Sequence, residues 1–233
     1  MTVYALKQWV KTSDSSLAEI IHRLARGGVP CIRPVHGAIY TIQKAVKLFI
    51  SEALRSFYYT PVFQSRLTGP CEKLYLYGDM PLVIDPLEIT IGNQCRISGV
   101  TTFCGRPRTK NPKLIIGERC AISWQVTIAV GTKVVLERGV HIGGRCFLAG
   151  YPGHPMDMYA RTAGDACTDD QIGDIILEEG VWLASGVTVL AGVRIGKGSV
   201  VAAGSVVTKD IPPGVLAAGI PARVVRPINE QEA

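Results

Sequence analysis

The chain has 233 residues, a formal net charge of +6, 47% hydrophobic residues and 7% aromatics. That length fits one domain carrying an appendage, and few aromatics suit a thin core of Ile, Val and Leu. The basic balance admits an anionic partner such as a nucleotide, a phosphorylated cofactor or a membrane surface. No stretch interleaves aromatics with Arg and Lys, which speaks against nucleic acid. There is no run of 18 apolar residues and no signal-peptide core at the N-terminus, so a cytoplasmic protein is expected. The seven cysteines (Cys31, Cys71, Cys95, Cys104, Cys120, Cys146 and Cys167) are odd in number and show no CxxC spacing. They read as packing residues in a reducing compartment, with no metal site.

Residues 1–73 read as a largely helical N-terminal segment. Ser13-Asp14-Ser15-Ser16 ahead of LAEIIHRLARGG predicts a capped helix ending at Gly27-Gly28. A second helical pattern runs roughly from Ala38 to Phe57, with Ile39, Ile42, Ala45, Val46, Phe49, Ile50, Leu54 and Phe57 mostly at 3.6 spacing. Such a helix packs on the rest of the chain or on another subunit. With Lys44, Lys47 and Arg55 it also suits an interfacial helix resting on an anionic membrane.

Residues 74–228 form a second region, β-rich from Leu74, with a polar tail at 229–233. Six-residue pieces start at Ile91 (IGNQCR, ISGVTT), break over 104–113, and resume at Ile116 (IGERCA, ISWQVT, IAVGTK). A two-residue slip at Val134-Val135 precedes LERGVH, IGGRCF and LAGYPG. A second excursion, rich in acidic and polar residues, runs over 154–174. Cys95, Cys120 and Cys146 each take the fifth position of a piece, where a small buried residue belongs.

The pattern is cleanest from Leu177 to Pro212: LEEGVW, LASGVT, VLAGVR, IGKGSV, VAAGSV, VTKDIP. Leu177, Leu183, Val189, Ile195, Val201 and Val207 lead the pieces. Val181, Val187, Val193, Ser199, Ser205 and Ile211 hold the fifth position, and Gly fills the fourth in five of the six. This period is neither helical nor that of an ordinary strand. It fits short strands joined by tight turns, stacked into a parallel β-helix whose coils bury one another's interior. Side chains capable of chemistry should lie where the chain leaves the rod, and His154 is the first polar one on the second excursion.

GHPMDMYAR (153–161), VWLASGVTVLAGVRIG (181–196), VVAAGSVVTKDIPPG (200–214) and AAGIPARVVR (217–226), in this order, resemble the hexapeptide-repeat acyltransferases. The likeness is nearest the branch of galactoside and maltose O-acetyltransferases and their polysaccharide-modifying relatives, and it covers about residues 90–228. It implies an all-β, left-handed parallel β-helix that is active as a homotrimer. It implies acetyl-CoA as co-substrate, bound between rods, and no metal. It places the general base at His154, whose imidazole can take the proton of an attacking hydroxyl. Asp157 and Arg161 match polar positions after that His and are acceptor-binding candidates. Asp165, Asp169 and Asp170 compete with Asp157 for orienting the imidazole. Trp182, Ala184, Ser185, Ala202, Ala203, Thr208, Lys209, Arg223 and Arg226 match the coenzyme side. The small residues suit a pantetheine arm against bare backbone, and Lys209, Arg223 and Arg226 suit its phosphates.

The coil ISGVTTFCG carries Thr101, Thr102 and Phe103 where the galactoside branch has an Asn for its acceptor. A free galactoside or maltose is therefore not expected. The acceptor should be a sugar hydroxyl of a capsule, O-antigen or exopolysaccharide, with a possible peripheral membrane contact through the N-terminal helices. An amino sugar-nucleotide acylated on nitrogen is the alternative. A γ-class carbonic anhydrase would need three His ligands, and the coil region has only His141 and His154. A non-catalytic scaffold would have no use for the TKD and PARVVR blocks.

Overall fold

The computed structural model describes residues 8, 9, 12, 13, 15–25, 27 and 31–228. Asp14 and Gly28 of the first predicted helix, and the tail at 229–233, lie outside them. The chain divides into two compact units, 1–50 and 51–233.

In the first unit, α1 spans Ser16–Ala25, and the Ser15 hydroxyl accepts a hydrogen bond from the Ala18 N–H (3.2 Å) at its start. The second helix, α2, spans Arg33–Leu54 and continues across the boundary at residue 50. It begins five residues before the predicted start. Ile39, Ile42, Val46 and Phe49 are each at least half exposed.

In the second unit, a π-helical turn (Arg55–Tyr59) leads into the short α3, Thr60–Gln64. Phe63 of α3 is buried with Leu74, Leu76 and Leu87 and covers the open end of the first coil. Arg66 anchors the following turn to Asp85 and to the Leu87 carbonyl. An uncovered coil end would leave apolar interior in water, so a solenoid needs such a cap.

Apart from its two excursions and its closing strand, the chain from Tyr75 to Pro227 is the left-handed parallel β-helix that the six-residue repeat implies. Three sides each carry one strand per coil. The first side holds Tyr75–Tyr77, Arg96–Ser98, Ala121–Ile122, His141–Ile142, Trp182–Leu183, Val200–Val201 and Val215–Gly219, and closes with antiparallel Ala222–Pro227. The second side holds Leu82–Ile84, Thr102–Gly105, Thr127–Val130, Phe147–Ala149, Thr188–Leu190 and Val206–Val207. The third side holds Glu88–Ile91, Lys113–Ile116, Lys133–Leu136, Ile175–Leu177 and Arg194–Ile195.

The interior follows the sequence pattern. The six leading residues from Leu177 to Val207 are fully buried, and the fifth-position residues from Val181 to Ile211 are at most 5% exposed. Cys95, Cys120 and Cys146 are buried free thiols. The Sγ of each lies 3.1 Å from a carbonyl of the next coil, Gly117, Glu137 and Ala184 respectively. A thiol at this position therefore fills the corner and spends its weak donor on the next coil. Ser199 does the same with a hydroxyl, donating to the Pro212 carbonyl at 2.6 Å.

Corners demand left-handed backbone, and the fourth position supplies it, as at Gly186 (φ 72°). In other coils Gln94, Arg119, Gln125 and Arg145 occupy that position, also with positive φ. A second kind of glycine precedes the corner. A Cβ on Gly143 would lie 2.7 Å from the Ser185 nitrogen of the next coil, so this position is set by close approach of backbones. The slip at Val134-Val135 is absorbed in the third side, where Val134 and Val135 pair in register with Leu114 and Ile115.

Candidate functional site

Both excursions leave the rod at the same corner, between its second and third sides. The first is shorter than its predicted 104–113. Cys104 and Gly105 pair with Ala129 and Val130, and Lys113 pairs with Lys133, which leaves 106–112 outside the ladder. The second emerges after Ala149 and returns at Ile175.

His154 is exposed near the start of the second excursion, one residue after Gly153, whose φ is 85°. The chain around it is tied locally. Pro155 is buried. Asp157 caps a single helical turn, α4 (Met158–Thr162), its carboxylate accepting from the Ala160 N–H at 2.8 Å. Arg161 turns back, its Nη1 donating to the carbonyls of Pro155 (3.0 Å) and Met156 (2.9 Å). The two residues expected to meet an acceptor thus make the hydrogen bonds that shape the backbone beside His154. Of the competing acids, Asp165 and Asp170 are exposed, while Asp169 pairs with Arg106.

Arg106 is the residue that sequence reasoning missed. It falls in the break over 104–113 and is only 4% exposed. Its Nη2 donates to the Cys167 carbonyl at 2.5 Å and its Nη1 to Asp169 at 2.7 Å. The Tyr151 hydroxyl lies 3.7 Å from the Cys104 Sγ beside it. Burial pushes both the Cys104 thiol and the Tyr151 phenol up. The signal available in the sequence was only that two excursions start two coils apart; their sharing of a corner depends on the coil lengths between them.

The predicted coenzyme residues fall into two groups. On the first side, the ladder aligns His141, Trp182, Val200 and Leu216 in one outward row. Two residues further on, the next outward position gives Gly143, Ala184, Ala202 and Ala218, a strip of small residues running along the rod axis. Ser185 and Ala203 continue it at the corner between the first and second sides, where the Gly204 N–H donates to the Ser185 carbonyl at 3.0 Å. Trp182 is half exposed beside this strip. Coils stacked at about 4.8 Å offer an extended chain a track of exposed backbone edges with no side chain in the way.

The second group lies at the far corner and on the end of the rod. Thr208 and Lys209 follow the last strand of the second side, at the corner where His154 emerges two coils earlier. Lys209 and Arg223 line one surface cavity of about 210 Å³ with Asp210, Ile211, Ala222 and Val224. Two cations around one small cavity fit a phosphate group. Arg226 is exposed opposite Leu216 on the closing strand and so belongs with the first side.

Within one chain these groups do not meet. The second side, three to four residues wide at about 3.3 Å each, separates the small-residue strip from the His154 corner. Among the described residues no group of three or more His, Cys, Asp or Glu side chains could hold a metal ion. Among the described residues no helix is long and apolar enough to cross a membrane.

Comparison with known proteins agrees with the fold. Residues 174–209 match the family model of the bacterial transferase hexapeptide (six repeats). The chain is 38% identical over 106 residues to galactoside O-acetyltransferase of Escherichia coli (strain K12), which is 46% of this chain and 47% of that protein. It thus spans about half the length of that curated relative. A mutant of AntD, an N-acyltransferase from Bacillus cereus solved with dTDP-4-amino-4,6-dideoxyglucose and coenzyme A, is structurally similar. It has a TM-score of 0.59 and 16% identity, over 74% of this chain and 90% of that one. At that identity the likeness concerns the fold alone. A hexapeptide-repeat acetyltransferase from Vibrio cholerae O1 biovar eltor, solved with acetyl coenzyme A, is 24% identical over 85% of this chain and 92% of that one, with a TM-score of 0.47.

Proposed function

We infer that this hexapeptide-repeat protein is an acyl-CoA-dependent O-acetyltransferase that moves an acetyl group to a sugar hydroxyl, with His154 as general base. The observation that carries the reading is an exposed imidazole on a loop whose backbone is locked by Asp157 and Arg161, at the corner that also bears Lys209. The likeness to galactoside O-acetyltransferase supports a hydroxyl as the acceptor.

In this mechanism acetyl-CoA supplies the acyl group as a thioester. The acceptor oxygen attacks the thioester carbon while His154 takes its proton. The C–S bond then breaks, and the proton passes from the imidazolium to the leaving thiolate. Proton transfer by a positioned imidazole contributes about 10²–10⁴-fold. Lys209 and Arg223 hold phosphate, and the strip from Gly143 to Ala218 receives the pantetheine arm. Asp157 and Arg161 keep the loop in shape and present its outer surface to the acceptor.

The division of the site between two corners supports a homotrimer. A rod set with its first corner against the second corner of a neighbour would join the two groups, and three rods around an axis close that arrangement. Leu82, Ile84, Phe147 and Leu190 on the second side are each more than a third exposed, which suits a face turned toward other rods. The setting we favour is cytoplasmic synthesis of a capsule, O-antigen or exopolysaccharide.

The test is thiol release from acetyl-CoA against a panel of sugars, nucleotide sugars and lipid-linked glycans. Transfer to a hydroxyl is expected. Transfer confined to an amino sugar-nucleotide would replace the reading with N-acylation. His154→Ala should lower kcat at least about a hundredfold with coenzyme-A binding intact, and unchanged turnover removes His154 from the chemistry.

A further inference from the structure

We propose that Arg106 is a positioning residue for acyl transfer: it pins the returning limb of the second excursion to the rod and so fixes where His154 stands. The proposal rests on the reading of His154 as the base.

Three observations carry it. First, Arg106 is itself anchored, since its backbone N–H donates to the Val130 carbonyl at 2.9 Å, directly after the strand Thr102–Gly105. Second, its guanidinium reaches residues 61 and 63 positions away, the Cys167 carbonyl at 2.5 Å and Asp169 at 2.7 Å. Third, the outgoing limb of the same excursion converges on the same place, with the Tyr151 hydroxyl 3.7 Å from the Cys104 Sγ. Both limbs that flank His154 therefore meet residues 104–106, at the end of a strand two coils earlier. Without that fastening the loop keeps its internal bonds, and the foot of the returning limb keeps those of the Gly173 N–H to the Gly150 carbonyl and of Asp174 to Thr132 and Lys133; it is residues 167–169, nearer to His154, that Arg106 ties to this strand.

The rod does not need this group. Backbone ladders and an aliphatic interior already close each coil. Yet the Arg106 side chain is 5% exposed and its Nε, also buried, has no hydrogen-bond partner among the described residues. A buried donor left unpaired is unfavourable. A solvated loop arginine would avoid that arrangement, and a fork holding a distant limb accepts it as a consequence of its two fixed partners.

The experiment uses the full chain, with Arg106→Met and Arg106→Lys. The Met variant removes the fork with little change in volume, and the Lys variant keeps the charge without bidentate geometry. Hydrogen exchange is read over 153–166 and over the rod. Steady-state kinetics are read against acetyl-CoA and an acceptor found in the panel. We expect exchange over 153–166 to quicken about tenfold in Arg106→Met with rod strands unchanged. We expect kcat to fall by about thirty- to a hundredfold, the scale of a displacement near 1 Å. Coenzyme-A affinity should stay within about twofold, because Lys209, Arg223 and the small-residue strip are untouched, and Arg106→Lys should fall between Met and the parent. Should Arg106→Met fail to fold, Asp169→Asn is the second variant. It removes the ion pair at an exposed carboxylate and should show the same changes in smaller measure.

Loop exchange equal to the parent's overturns the pin. Faster exchange with unchanged kcat overturns the positioning role. A parent chain without transferase activity overturns the enzyme reading and the catalytic half of this proposal with it, while the exchange comparison still decides whether Arg106 holds the loop.

Discussion

Leu183→Ala tests the claim that rigid stacking of coils builds the site. Leu183 is fully buried and leads its coil between Ile142 on one side and Val201 on the other, all three in one register. The backbones of the flanking coils are fixed by parallel ladders about 4.8 Å apart. Ile142 and Val201 therefore cannot close over the space that the lost methyls leave. Leu→Ala replacements span about 2.7–5 kcal/mol, growing with the unrelaxed cavity, and a site unable to collapse belongs above the low end, at about 3–4 kcal/mol. For a domain of this size each kcal/mol moves Tm by about 2–4 °C, so Tm should fall by roughly 6–16 °C. Ile115→Ala is the control, because Ile115 points outward from the third side, not from the face assigned to other rods, and is 36% exposed; it should cost less than about 1 kcal/mol. Scanning calorimetry at one protein concentration measures both. Equal shifts for the two variants would refute a close-packed, unyielding interior.

Gly143→Ala should destabilise more than Gly186→Ala. The added Cβ at 143 lies 2.7 Å from backbone of the next coil, whereas at 186 it meets nothing nearer than 3.9 Å and is opposed only by the φ of 72°. The second change should cost about 1–2 kcal/mol; urea midpoints that place Gly143→Ala at or below it would contradict the close-approach account. Lys209→Ala and Arg223→Ala should each weaken coenzyme A about tenfold by calorimetric titration, the lower end for a charge-assisted contact. An unchanged Kd for either removes that residue from the phosphate pocket. Glu178 offers a pH test. Its carboxylate accepts from Arg194 Nη1 (2.7 Å) and from the Lys197 N–H (2.9 Å), and the arginine, more than the backbone donor, holds its pKa below the usual carboxylate value. A depressed folded pKa gives stability that is present above the unfolded value of about 4.3 and is lost as pH falls through the folded one. The parent should thus lose more stability than Glu178→Gln on acidification below about pH 4, read from melting curves; parallel pH profiles would contradict it.

The fold was legible because its physics repeats. A leading aliphatic residue and a small fifth residue recur wherever a side must point two groups inward, and the structure buries each of those from Leu177 to Ile211. Corners were legible only where glycine marks them. At Gln94, Arg119, Gln125 and Arg145 the same left-handed backbone is held by the pairing of neighbouring coils, so the turn survives without its usual residue and leaves no local signal. Residues 58–73, beyond the second helical pattern, gave no hint that Phe63 would cover the first coil, since capping is a contact with residues such as Leu74 and Leu87 that follow it in the chain.

The candidate site divides along the same line. His154 was legible as the first polar residue to leave a periodic pattern, and the pairing of Lys209 with Arg223 was legible only as two cations in matching blocks. Their shared cavity depends on the closing strand folding back, with Ala222 buried over the rod's end. Arg106 was not legible at all, because its partners lie 61 and 63 residues away and their approach depends on coil lengths that the excursions themselves interrupt. A periodic sequence specifies what lies directly above and below each residue. It is silent about what two interruptions of that period do to each other, and in a rod whose sides are spent on stacking, those interruptions are where selectivity and reactivity have room to form. The variants at Arg106 and at Leu183 probe these two kinds of information separately: one should disturb the loop and spare the rod, the other should loosen the rod at the strip that contains Ala184 and borders Trp182.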